Sequence, residues 1–198
     1  MARYNAEIRA IGENVERLAG KDVRIRVMEG SEQITDASSP EPVAGWVKGA
    51  MERLDNLVDE ETRNQAMLNC GYRCIAAHKS VMYKMRAKRQ QYETLDEFLQ
   101  AEEQNPGRGT RLTREGAIVY QYYTPRSLAR PVRCYCPLLR GLPDGENVST
   151  TYCQCSRGFV EKVWEKVLGR PVQVEILESC AAGAPECKFA IHLVATDR

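Results

Sequence analysis

The 198-residue chain has no long hydrophobic run, and stretches such as Gly116-Ala117-Ile118-Val119-Tyr120 fall far short of the roughly 20 apolar residues that cross a bilayer. Net charge is nearly absent as well, with 28 Lys plus Arg against 27 Asp plus Glu. Such a balance supplies no overall field to hold a polyanion, so neither a nucleic-acid nor a membrane partner is expected. The first seven residues, Met1-Ala2-Arg3-Tyr4-Asn5-Ala6-Glu7, lack the apolar core of a signal peptide, which points to a cytoplasmic location. There the sequon at Asn147-Val148-Ser149 is inert. Also missing are a Gly-rich phosphate loop, a Ser-His-Asp set, a His-Glu-x-x-His motif and any internal repeat, which leaves little sign of a familiar enzyme.

What remains is an ordinary globular composition, 43% hydrophobic and 28% charged, in a chain long enough for one good core or two small ones. Ile8, Ile11, Val15 and Leu18 mark a short peripheral helix that Gly20 ends. Val23, Ile25 and Val27 alternate with charged residues and predict a half-buried strand over 21–28. From Pro42 to about Ala87 the period is helical, and two helices broken near Asp59 are expected. Thr94-Leu95-Asp96-Glu97 has the spacing of a capping box, opening a helix that Asn105-Pro106-Gly107 stops.

Beyond residue 112 the pattern turns to strands. The runs 117–123 and 129–136 predict a hairpin, Ser156 is placed to cap a helix ending at Gly169, and two strands carry Val172, Val174 and Ile176, then Phe189, Ile191 and Leu193. The fold class is therefore α+β. A mainly helical region, 1–110, is expected against a metal-binding region, 111–198, with an antiparallel sheet of about four strands and one crossover helix, the two being parts of one compact domain.

Eight cysteines fall into four close pairs: Cys70 with Cys74, Cys134 with Cys136, Cys153 with Cys155, and Cys180 with Cys187. In a reducing compartment such pairing argues for metal or redox chemistry over disulfides. Residues i and i+4 on a helix share a face, i and i+2 on a strand do the same, and Cys180 and Cys187 sit on the two arms of a reverse turn, so every pair is a candidate chelator. Sets of four thiolates select zinc or an iron–sulfur cluster, and spacing does not choose between them. The competing reading is that several are small buried hydrophobes. No pair has the Cys-x-x-Cys spacing of a thioredoxin-like dithiol.

The stretch from Tyr152-Cys153-Gln154-Cys155-Ser156-Arg157-Gly158-Phe159, through Val167-Leu168-Gly169-Arg170-Pro171, to Gly183-Ala184-Pro185-Glu186-Cys187-Lys188-Phe189-Ala190-Ile191 resembles the 4-vinyl reductase domain family. The resemblance covers about the last 85 residues. It implies a small-molecule-binding α+β module and, by analogy with sensor members, a structural zinc held by one upstream Cys, a Glu and two Cys around the final turn. Cys153 and Cys187 match the outer two of these, Cys180 falls one position from the third, and Glu175 and Glu178 lie close to the Glu without coinciding with it. Cys155 is a substitute ligand. A looser resemblance to thiazoline carboxylate hydrolase-like proteins implies instead a hydrolase, with Cys70, Cys74 or His78 as candidates.

Other residues have two readings each. His78 is a possible ligand or a surface residue, and His192 is structural; Lys84 to Arg89 is a phosphate contact or a solvated helix end; Tyr122, Phe159 and Trp164 line a ligand pocket or simply fill the core. The expectation is a cytoplasmic, cysteine-ligated metal protein that senses or carries a small, largely apolar or aromatic molecule. Its metal is zinc, with an iron–sulfur cluster as the alternative, and it is a possible homodimer. The rival is an enzyme, either a small-molecule hydrolase or an iron–sulfur reductase.

Overall fold

The computed structural model describes residues 4–107, 109–124 and 134–193. Its elements in chain order are α1 (Tyr4–Ala19), α2 (Lys21–Val27), α3 (Pro40–Leu57), α4 (Glu60–Ala77), α5 (Ser80–Arg89), α6 (Leu95–Gln104), β1 (Thr110–Glu115), β2 (Ile118–Tyr123), α7 (Thr150–Leu168), β3 (Gln173–Glu178) and β4 (Cys187–His192). The α+β expectation holds. All strand pairs are antiparallel, in the order β1-β2-β4-β3, and α7 makes the crossover between β2 and β3.

Two apolar clusters form the core. The first joins Ile8, Ile11 and Val15 of α1 to Val43, Val47 and Met51 of α3, Met67 of α4, and Leu138 and Leu139. α1 is thus integral to the core, not peripheral. The second sits between the sheet and two helices, around Phe98, Trp164, Val174, Phe189 and Ile191. α7 serves both, with Tyr152 and Cys153 in the first and Val160, Trp164 and Val167 in the second.

Several boundaries differ from expectation. Residues 21–27 are a helix, because Val23 and Val27 are four apart and share a helical face. Val27 is fully buried while Ile25, on the opposite side, is 56% exposed. A three-residue alternation is compatible with either period, and burial against α1 and α3 decides it. The 42–87 stretch holds three helices: Asp59 caps α4 by accepting from Thr62 N–H at 2.9 Å, but α4 ends at Ala77 and α5 follows. The Thr94–Glu97 capping box is present as expected.

The partner of β2 is β1, across the two-residue turn at Gly116 and Ala117. β1 has one buried apolar residue, Leu112, among charged and polar neighbours, so little alternation marked it. An edge strand needs no more, and its charges discourage pairing with other chains. Residues 129–133 of the expected second strand lie outside the described residues, and 134–136 form a bend. α7 begins six residues before Ser156, with Ser149 as its cap, because Thr151, Tyr152 and Cys153 are buried against the helical layer. Gly169 ends it in the left-handed conformation, φ 72°.

Candidate functional site

The cysteines are gathered by the crossing of α4 and α7. Gly71 on α4 lies against the backbone of α7, where a Cβ would stand 2.0 Å from the Cys155 carbonyl oxygen. Gly158 returns the contact, its Cβ position being 2.5 Å from the Leu68 carbonyl oxygen. With no side chain between them the two backbones touch, and Cys70 and Cys155 come close enough that charge on the first raises the pKa of the second. The 134–139 segment is anchored by a single helical turn, Pro137–Leu139, whose Leu138 and Leu139 are buried. That anchor delivers Cys134 and Cys136 to the same region.

Cys136 is the hub. Its Sγ accepts from the Tyr152 hydroxyl at 3.1 Å, and its own N–H donates to Cys134 Sγ at 3.4 Å. Charge on Cys136 would raise the pKa of Cys70, Cys74, Cys134, Cys155 and Tyr152 alike. Burial is the dominant cause throughout: it pushes Cys70 up to about 12, against the opposing hydrogen bond from Asn14 Nδ2 at 3.5 Å. Cys134 and Cys155 are pushed well above the usual thiol value, and Cys136 is raised too. These are neutral thiols at ordinary pH, and they become ligands only if a cation displaces their protons.

The pair Cys153 and Cys155 does not share a face as a strand would place it. Two residues apart on a helix, the side chains diverge by about 200°. Cys155 is directed to α4, whereas Cys153 Sγ lies 2.8 Å from Ser179 Oγ, beyond the end of β3, with burial raising its thiol to about 11. Cys180 and Cys187 do meet, on the two arms of the turn before β4, where the Cys180 N–H donates to Cys187 Sγ at 3.4 Å. The Cys180 side-chain hydrogen bond leads the causes that bring Cys187 down to about 7, with Tyr123 contributing and burial opposing.

Glu175 is not placed with these thiols. It pairs with His192, Nε2 to Oε1 3.1 Å, and sits opposite Ala190 in the β3–β4 register. Cys187 is an odd number of residues from both Ala190 and His192, so its side chain projects from the other face of the sheet. Glu178 is exposed at the edge.

Among the described residues, no group of three or more His, Cys, Asp or Glu side chains stands arranged to hold a metal ion. The chemistry of the thiol set fits zinc or an iron–sulfur cluster, while the sulfurs as placed are free thiols that accept from Asn14, Tyr152 and the Cys136 N–H. Three further residues belong to this environment without any signal in the sequence spacing. Asn14 and Tyr152 donate to sulfur, and the carboxylate of Glu7 raises both Cys74 and Cys136. Tertiary folding alone brings α1 to them.

His78 lies at the end of α4 with Nδ1 2.9 Å from the Cys74 carbonyl and 3.8 Å from Cys74 Sγ. An Nδ1 that donates to the carbonyl is not free to take the thiol proton. The pocket residues are dispersed. Trp164 is fully buried and donates from Nε1 to Gln121 Oε1 at 2.7 Å, on the inner face of the sheet. Tyr122, next along β2, faces outward beneath the Arg111 guanidinium, 3.4 Å from its ring centre. Phe159 is half-buried on α7.

Residues 3–197 match a family of unknown function, DUF6144. The chain belongs to that family. No curated protein is similar to it in sequence. Among solved structures, an H-NOX protein from Shewanella oneidensis in the Fe(II) ligation state is 12% identical, with 100% of this chain and 98% of that chain covered and a TM-score of 0.48. The same organism's H-NOX domain in the Fe(II)CO state, by NMR, is 11% identical over 99% and 100% of the two chains, TM-score 0.47. Its H-NOX protein in the Fe(II)NO state is 11% identical over 98% and 100%, TM-score 0.45. No helix among the described residues is long and apolar enough to cross a membrane.

Proposed function

We propose that this protein is a cysteine-ligated metal protein that binds a small molecule for sensing or carriage, as the resemblance of its C-terminal part to 4-vinyl reductase domains implies. The observation that supports it is the convergence of thiols from α4, the 134–136 bend and α7 on Cys136. Cys70, Cys134, Cys136 and Cys155 are the ligand set, and zinc is the favoured ion. A thiophilic ion at this place would tie α4, α7 and the loop into one unit by replacing thiol protons with metal–sulfur bonds. Because Cys70 accepts from Asn14, Cys136 from Tyr152 and Cys134 from the Cys136 N–H, binding requires both deprotonation and side-chain rotation. Cys74 borders this set on α4, and Cys153, Cys180 and Cys187, grouped beside the end of β3, are the candidates for a second site.

Metal analysis of protein purified with and without oxygen tests the reading. A stoichiometric zinc or iron content that is lost in Cys136→Ser is expected. Absence of both metals from both preparations, or full retention in Cys136→Ser, refutes it. A visible charge-transfer absorbance identifies the iron–sulfur alternative.

A further inference from the structure

The basic run at the end of α5 lies far in function from the thiols, and the fold gives it a setting that the sequence did not. α5 carries Lys84, Arg86, Lys88 and Arg89 without a single acid, and it buries no residue of its own. It lies along the last turns of α7, and between the two runs a groove of about 800 Å³. Arg86 and Arg89 form one wall, Lys166 the other, and Tyr92, Val167 and Leu168 supply apolar surface. Its volume falls within the roughly 300–1,000 Å³ of small-molecule sites.

The charges in this groove are unbalanced. Lys88 is engaged by Glu102, and the one acid on the lining, Glu165, is held by Lys162 at 2.6 Å. Arg89 spends Nη1 on the Tyr92 carbonyl at 2.8 Å, which fixes the guanidinium while leaving its other donors. Among the described residues, Arg86 and Lys166 make no ion pair, and Lys166 only lies 5.0 Å from the Tyr83 ring centre. The helix dipole accounts for cations at the end of α5. It accounts for Lys166 in the last turn of α7 as well, but it pairs neither Arg86 nor Lys166 with an acid where the two helix ends line one groove, and a bound anion supplies that partner.

We propose that this groove is a binding site for a small organic anion, a carboxylate or phosphate carried on a flat apolar body. Arg86 and Arg89 present planar forks to the two oxygens, Lys166 adds a point charge, and Tyr92 with Val167 and Leu168 takes the apolar part. The site is separate from the thiol cluster and stands whether or not a metal is bound there.

Heteronuclear NMR titration of the full chain with 2-naphthoate, 2-naphthyl phosphate and the neutral 2-naphthylmethanol tests it. Saturable shifts confined to residues 86–92 and 165–169 are expected with one or both anions, and their relative affinities tell carboxylate from phosphate. Arg86→Gln combined with Lys166→Gln, with an unchanged circular dichroism spectrum, should weaken that binding by about tenfold or more. The absence of saturable shifts in this region overturns the proposal, as does equal binding of the neutral alcohol or undiminished binding to the folded double variant.

Discussion

Gly71→Ala is the sharpest structural test, because it acts on the crossing that assembles the thiols. The added Cβ would lie 2.0 Å from the Cys155 carbonyl oxygen, 2.9 Å from its carbon and 3.0 Å from the Phe159 nitrogen. Ordinary carbon–oxygen contacts begin near 3.3 Å, so α7 must withdraw by about 1.3 Å. All three obstacles are backbone atoms of a packed helix, and no rotamer change relieves them. Overpacking of this sort costs about 3 kcal/mol, and the better helix propensity of alanine offsets about 1 kcal/mol of it. The net loss of about 2 kcal/mol corresponds to a fall of about 4–8 °C in the melting temperature of a chain this size. Thermal unfolding followed by circular dichroism under reducing conditions measures it. Gly45→Ala on α3, where nothing lies within 4 Å of the new Cβ, is the control and should be neutral or stabilising. A second readout is thiol labelling, since separation of the helices should speed reaction at Cys70 and Cys155. An unchanged or raised melting temperature in Gly71→Ala refutes the close crossing.

Gln121→Ala strips the partner from the buried Trp164 Nε1–H and should cost about 1–3 kcal/mol in urea unfolding; a neutral result means that the 2.7 Å bond carries nothing. Thr94→Ala removes one half of the α6 capping box and should cost about 1 kcal/mol, with amide exchange accelerated in the first turn of α6; unaltered exchange there contradicts the cap. Burial raises Cys70 to about 12 and Cys153 to about 11 from the ordinary 9.0, so on alkaline titration the unfolded chain loses these protons first. Their contribution to stability is intact below pH 9 and is lost as pH climbs toward 11–12. The fall in melting temperature above pH 9 should be shallower in Cys70→Ala than in the parent, and identical slopes disprove the buried neutral thiol.

Local rules were enough wherever a residue acts on its own neighbours. The capping box at Thr94, the helix stop at Gly169 and the break near Asp59 were legible because each rests on residues close in the chain. The α+β division was legible because hydrophobic period changes from helical to alternating near residue 112. The closeness of the cysteine pairs along the chain was legible as well, while the meeting of Cys70, Cys134, Cys136 and Cys155 was not.

What the sequence could not decide was which face each thiol presents and which segments meet. Cys153 and Cys155 would have shared a face on a strand, but the start of α7 at Thr150 sends them apart, one to Ser179 and one toward α4. That start depends on burial of Thr151 and Tyr152 against elements roughly a hundred residues away in the chain, which no local period records. Equally, the basic run of α5 is a mere solvated helix end until α7 is laid beside it with Lys166 turned toward the same groove. By itself the sequence determined the residue types, the α+β division, the capping box at Thr94 and the helix stop at Gly169. The tertiary structure decided the neighbours, because two glycines allow two helices to touch and so bring distant side chains into each other's fields.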